Sequence, residues 1–133
     1  MLTGRRPPHD YLGTVLDAPD PRALGRFYAE VLDWRIHSDE EDWVTIAPDQ
    51  GHVYLAFQKV EDHSRPVWPA QPDQQQIQMH LDIEVSDLEA ATESALRLGG
   101  LLSEHQPQEG QRVVIDPAGH LFCIYVGDSE SST

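Results

Sequence analysis

The chain has 133 residues, 39% of them hydrophobic, and a formal charge of −14 from nine Lys and Arg against twenty-three Asp and Glu. That size suits one compact domain or two tightly fused half-domains, while the acidity argues against nucleic-acid binding, which needs a basic face. A single cysteine, Cys123, excludes an internal disulfide and a Cys-rich zinc site, and no apolar stretch or leader pattern points to a membrane or to export, so the cytoplasm is the expected location.

Residues 1–9 are expected to form an N-terminal arm. A strand-like run, Tyr11 to Asp17, then leads through Ala18-Pro19-Asp20-Pro21 into a helix. Asp20 is a good N-cap, Pro21 suits the first helical position, and Leu24, Phe27, Tyr28, Val31 and Leu32 recur at the spacing of one buried stripe. Asp33 to His37 and Trp43 to Ala47 read as short strands around an acidic turn, Ser38 to Asp42. Pro48-Asp49-Gln50-Gly51 turns into a further strand, His52 to Val60.

Glu61 to Gln76 holds three prolines and Trp68 and reads as a connection, long enough to cross the surface or contribute to a binding rim. After it, Met79, Leu81, Ile83 and Val85 alternate with Gln78, His80, Asp82 and Glu84, the pattern of a strand with one face on a core. The polar face therefore carries His80, Asp82 and Glu84. Ser86 or Asp87 caps a second helix with the stripe Leu88, Ala91, Ala95 and Leu98, closed by Gly99-Gly100. Leu101 to Glu104, Arg112 to Ile115 and His120 to Val126 supply three more strands, and a disordered tail is expected over 128–133.

Two landmarks recur. Asp20 and Asp87 stand 67 residues apart, and the turn glycines Gly51 and Gly119 stand 68 apart. The chain therefore reads as a duplicated β-α-β-β-β unit, with module one at about 10–60, the connection at 61–76 and module two at about 77–127.

The order β-α-β-β-β twice, the helix entry with Phe27-Tyr28 and Leu32, and the closing Asp116-Pro117-Ala118-Gly119-His120 resemble the vicinal oxygen chelate superfamily of glyoxalases, bleomycin-resistance proteins and extradiol dioxygenases. More narrowly, Leu55-Ala56-Phe57-Gln58, Trp68-Pro69, His80-Leu81-Asp82 and Gly119-His120-Leu121-Phe122-Cys123 look like the actinobacterial glyoxalase-like domain. The resemblance covers residues 10–127. It implies an α+β fold of two tandem β-α-β-β-β modules forming a cup-shaped mixed sheet, and a homodimer. A fold shared by many chemistries does not by itself choose a reaction.

The resemblance also implies four metal-ligand positions, one on the first and one on the last strand of each module. These fall on His80 and Cys123 in module two, and on Gly13 and near Leu55 in module one. Only His80 is an unambiguous ligand type, so no resident metal is expected. A register displaced by one residue would bring in Gln58, Asp17 or Asp82 and make a divalent metal possible.

His80 with Asp82 is a candidate acid–base or ligand-binding pair, against the plainer reading of a hydrogen-bonded structural histidine. Gln58, Trp68, Cys123 and Tyr125 are candidate ligand-binding residues. Cys123, set between Phe122 and Ile124, reads more readily as a small buried hydrophobe than as a nucleophile. Trp68 is expected at the rim or against a partner subunit rather than in a core, and His52 and His120 read as turn-supporting residues.

The expected function is small-molecule binding without the usual metal, by sequestration of a cationic or aromatic ligand as in the bleomycin-resistance members. The acidity either serves solubility or attracts such a cation. The alternative is a metal-dependent or His-based lyase, isomerase or dioxygenase. A third class is a domain serving only protein assembly.

Overall fold

The computed structural model describes residues 1–127, so the tail expected over 128–133 lies outside the described residues. The chain divides into two compact units, Met1–His63 and a second beginning at Ser64, and each holds one β-α-β-β-β module. The fold is α+β, and each module forms its own four-stranded mixed sheet.

The first module runs β1 (Leu12–Ala18), α1 (Pro21–Leu32), β2 (Arg35–Glu40), β3 (Trp43–Ala47) and β4 (Val53–Lys59), with sheet order β1-β4-β3-β2. β1 and β4 are parallel while the remaining pairs are antiparallel. A parallel pair cannot be closed by a tight turn, and α1 with β2 and β3 supplies the crossover. Asp20 Oδ1 accepts from the Ala23 N–H at 3.2 Å and Pro21 opens α1, as the sequence indicates. Asp33 departs from expectation. It caps α1 in the left-handed conformation, φ 58°, which closes the helix and delays β2 to Arg35.

Leu24, Phe27 and Tyr28 of α1 are buried against the sheet, with the Tyr28 ring stacked on Phe57 at 5.8 Å. Gly25 lets the helix approach closely, because a Cβ there would lie 2.6 Å from Val44 Cγ1. Val44 and Phe57 are register partners and therefore share the helix-facing side of the sheet. By alternation, Trp43, Thr45, Tyr54, Ala56 and Gln58 belong to the opposite side.

The second module runs β5 (Leu81–Val85), α2 (Leu88–Leu98), β6 (Leu101–Leu102), β7 (Gln111–Ile115) and β8 (Leu121–Val126), in the order β5-β8-β7-β6. Asp87 is the N-cap of α2, accepting from the Ala90 N–H at 3.1 Å, and Gly99 closes the helix at φ 123°. Ala95 is the one fully buried residue of α2, in keeping with its narrow stripe.

Three further expectations need adjustment. Met79 is 78% exposed because β5 starts only at Leu81, so it takes no part in the core alternation. The strand expected over Leu101 to Glu104 stops at Leu102. There the Gln106 side chain donates to Ser103 O and Val113 O and accepts from the Val113 N–H, replacing the strand partner beyond that point. Trp68 packs, partly buried, on Val113, Leu121 and Cys123. The Arg65 guanidinium donates to Pro117 O at 2.8 Å, so this part of the connection belongs to the second unit.

Candidate functional site

In the first module, the side of the sheet away from α1 is where chemistry can be displayed. Tyr54 on β4 pairs in register with Gly13 on β1, and its ring occupies the space a Gly13 Cβ would need. Glycine is required here by close approach. Around that ring, Tyr11, His37, Trp43, Thr45, Asp49 and others line a cavity of about 470 Å³, within the ordinary size of a small-molecule site.

Tyr11 also stacks on the His52 ring at 4.8 Å, and His52 Nδ1 is paired with the Asp10 carboxylate. The turn-supporting reading of His52 therefore has a concrete form: it ties the segment entering β1 to the start of β4. Asp49 is paired with Arg35 at 2.9 Å. Gln58, farther along β4, donates to Asp17 Oδ1 at 2.8 Å. It shares the Tyr54 side of the sheet but is not among the cavity residues.

In the second module, Asp82 and Cys123 are register partners on the parallel strands β5 and β8, and Glu84 pairs with Tyr125 in the same way. Asp82, Glu84, Cys123 and Tyr125 therefore rise from one face. Trp68 packs on the cluster of Val113, Leu121 and Cys123 on that face. His80, just ahead of β5, places Nε2 3.1 Å from Asp82 Oδ1. One donor atom from each of His80, Asp82 and Cys123 falls within 4.8 Å of the others. The Cys123 thiol is held above its ordinary pKa by burial first and by the Asp82 charge second. It is thus a protonated, poorly nucleophilic sulfur at neutral pH.

The structure brings His80, Asp82, Cys123, Tyr125 and Trp68 to one face of the second module, while Gln58 stands in the first. The sequence offers Tyr11, Trp43 and Tyr54 only among six aromatic residues able to line a mostly apolar pocket, most of them expected in the core, and His37 reads as a surface residue; nothing in it gathers the four together. The one available signal was Gly13, a glycine inside a strand pattern, which often marks a close approach.

The four-position metal arrangement of metal-dependent relatives does not fit this chain. Strand register places Ala56, not Leu55, opposite Val15, just as Cys123 stands opposite Asp82. One more residue separates Gly51 from Ala56 than separates Gly119 from Cys123, so by this register the position expected near Leu55 falls on Ala56. Gly13 and Ala56 carry no donor, and the Tyr54 ring fills the space over Gly13.

A profile of the glyoxalase-like domain matches residues 13–125, and no curated protein matches the chain in sequence. Among solved structures, the chain is similar to the antibiotic-binding protein TnmS3 from Streptomyces sp. CB03234, at 16% identity and TM-score 0.59 over 89% of this chain and 95% of that one. A glyoxalase-related enzyme from Fulvimarina pelagi aligns at 22% identity and TM-score 0.64, over 89% and 88%. The bleomycin-binding protein of Streptomyces verticillus, complexed with copper(II)-bleomycin, aligns at 21% identity and TM-score 0.55, over 89% and 96%. At these identities the structural likeness speaks for the fold alone. With its profile match over most of its length, and with the repeated module and sheet topology in agreement, the chain belongs to the glyoxalase-like domain family.

Proposed function

We propose that this protein binds and sequesters a small aromatic, cationic molecule in the first module's cavity, without chelation by the four-position metal site. The observation that carries this reading is the set of rings from Tyr11, Trp43 and Tyr54 around about 470 Å³. Aromatic faces attract planar and cationic groups, and a chain of charge −14 draws such cations toward it. Two structural relatives are antibiotic-binding or bleomycin-binding proteins, which supports a small organic ligand here.

On the second module, taken by itself, Cys123 and Tyr125 share one face that offers contact area of its own. Gln58 stands on the Tyr54 side of the first sheet, outside the cavity lining. The assembly is a homodimer in the same proposal, because β1 and β2 leave open edges in one sheet and β5 and β6 in the other. Light scattering that gives a monomer at micromolar concentration removes that part.

The test is a fluorescence and thermal-shift screen of planar aromatic amines in the presence of a chelator. Binding that is lost in Trp43→Ala and Tyr54→Ala supports the cavity. Binding that survives both substitutions unchanged, or no binding across the panel, rejects it. Ligand recovered chemically unaltered supports sequestration. Turnover that depends on His80 would instead favour a His-based enzyme, a reading motivated by the 3.1 Å His80–Asp82 pair.

A further inference from the structure

The pairing of β2 with β3 contains one irregularity, and it falls at the first module's cavity. Ile36 pairs with Ile46 and Ser38 with Thr45, so β2 carries one residue, His37, that has no register partner. This is a β-bulge, a feature that interrupts the ladder, re-aims side chains and recurs beside functional sites. The Ser38 N–H donates to Thr45 Oγ1 at 3.1 Å, which ties the bulged strand to its neighbour. His37 is exposed, and it stands in the cavity lining with Trp43, Thr45, Asp49 and Tyr54.

Its imidazole differs from the other side-chain acceptors there. Asp49 is already engaged by Arg35 at 2.9 Å, and Thr45 Oγ1 by the Ser38 N–H. No hydrogen bond or ion pair among the described residues takes up the His37 side chain. A neutral imidazole leaves one ring nitrogen as an acceptor, which is thus open to whatever enters the cavity.

We propose that His37 is the specificity-determining residue of this cavity: its ring nitrogen accepts a hydrogen bond from a ligand N–H, so the cation held is a protonated amine rather than a quaternary ammonium. The inference rests on the cavity reading above and narrows its ligand class. The rings of Tyr11, Trp43 and Tyr54 attract both kinds of cation, because attraction to an aromatic face needs no N–H. An acceptor tells them apart. A protonated amine replaces the water on the imidazole with a hydrogen bond of its own, whereas a quaternary ammonium displaces that water and leaves the nitrogen unpaired.

The probes are the naphthylmethylammonium ion and its N,N,N-trimethyl counterpart, each titrated calorimetrically into the full chain. The amine should bind about tenfold tighter to the wild-type protein, the scale of one hydrogen bond from a charged donor. His37→Phe keeps a ring in the wall without the nitrogen, and should erase that preference by weakening the amine alone. Because His37 is exposed the variant should fold, which thermal melts check; His37→Ala, which removes the ring as well, should also lose the preference. Equal binding of the two cations by the wild-type protein, an unchanged preference in His37→Phe, or an equal loss for both cations in that variant overturns the inference while leaving the cavity reading in place. Binding of neither cation to the wild-type protein overturns the inference and counts against the cavity reading as well.

Discussion

The ring of Tyr54 lies over the Cα of Gly13, its register partner on the neighbouring parallel strand. That contact puts an aromatic wall over one of the positions at which the family resemblance implies a metal ligand. Gly13→Ala would place a methyl group inside the ring's volume. The expected loss is about 1–3 kcal/mol, typical of overpacking, together with weaker binding in the cavity. Adding Tyr54→Ala to Gly13→Ala should relieve part of that loss, since residues in contact do not act additively. A double-mutant cycle by thermal or denaturant unfolding checks it, and strict additivity would contradict the contact.

Gly25→Ala sets two effects against each other. Alanine favours an α-helix interior over glycine by about 1 kcal/mol, yet the new Cβ would stand 2.6 Å from Val44 Cγ1 in the α1–sheet interface. Overpacking of about 1–3 kcal/mol should prevail and lower stability. Urea unfolding decides the sign, and a stabilised variant would mean that α1 shifts outward without penalty.

Asp116 is 1% exposed, and its Oδ1 accepts from the Ala118 N–H at 2.8 Å and the His120 N–H at 3.0 Å. These bonds hold the turn that starts β8 and aims Cys123. Asp116→Ala removes the acceptor from both and should destabilise by about 3 kcal/mol, on the scale of hydrogen bonds to charged groups. Asp116→Asn keeps an oxygen and should recover a good part of it. Equal losses in the two variants, read by denaturant titration, would speak against hydrogen bonding as the cause.

The raised pKa of Cys123, caused mainly by burial and next by the Asp82 charge, makes stability fall on the alkaline side. Below the ordinary thiol pKa both folded and unfolded chains hold the proton, and the thiol contribution to stability is complete. As pH rises above that value the unfolded chain loses its proton first, so stability declines until pH has passed the folded pKa. Cys123→Ser should show a shallower alkaline decline, measured by unfolding between neutral and alkaline pH. Alkylation of the native thiol at neutral pH should likewise be slow compared with the unfolded chain.

Much of the fold was legible because its signals are local. Asp20 and Asp87 as N-caps, the Leu24-Phe27-Tyr28 stripe and the Trp43–Ala47 strand all stand as read. Boundaries were less legible where a side chain or one backbone angle intervened, as with Asp33 in the left-handed region and Gln106 taking over a strand partner. Of the candidate residues, those on the second module gathered on one face because alternation and the repeat offset place them there. Tyr11, Trp43 and Tyr54 were legible as possible pocket aromatics but not as one cavity, since aromatic residues in strands are as suited to a core as to a pocket.

The sequence by itself determined the two modules, their element order and the polar face carrying His80 and Asp82, because periodicity and capping act over a few residues. Only the tertiary structure decided that Ala56 rather than Leu55 stands opposite Val15, that Tyr54 fills the space over Gly13, and that Cys123 meets His80 and Asp82. Each of these depends on pairing between distant strands. A slip of one residue there turns every side chain to the other face, and no local pattern fixes which register is taken.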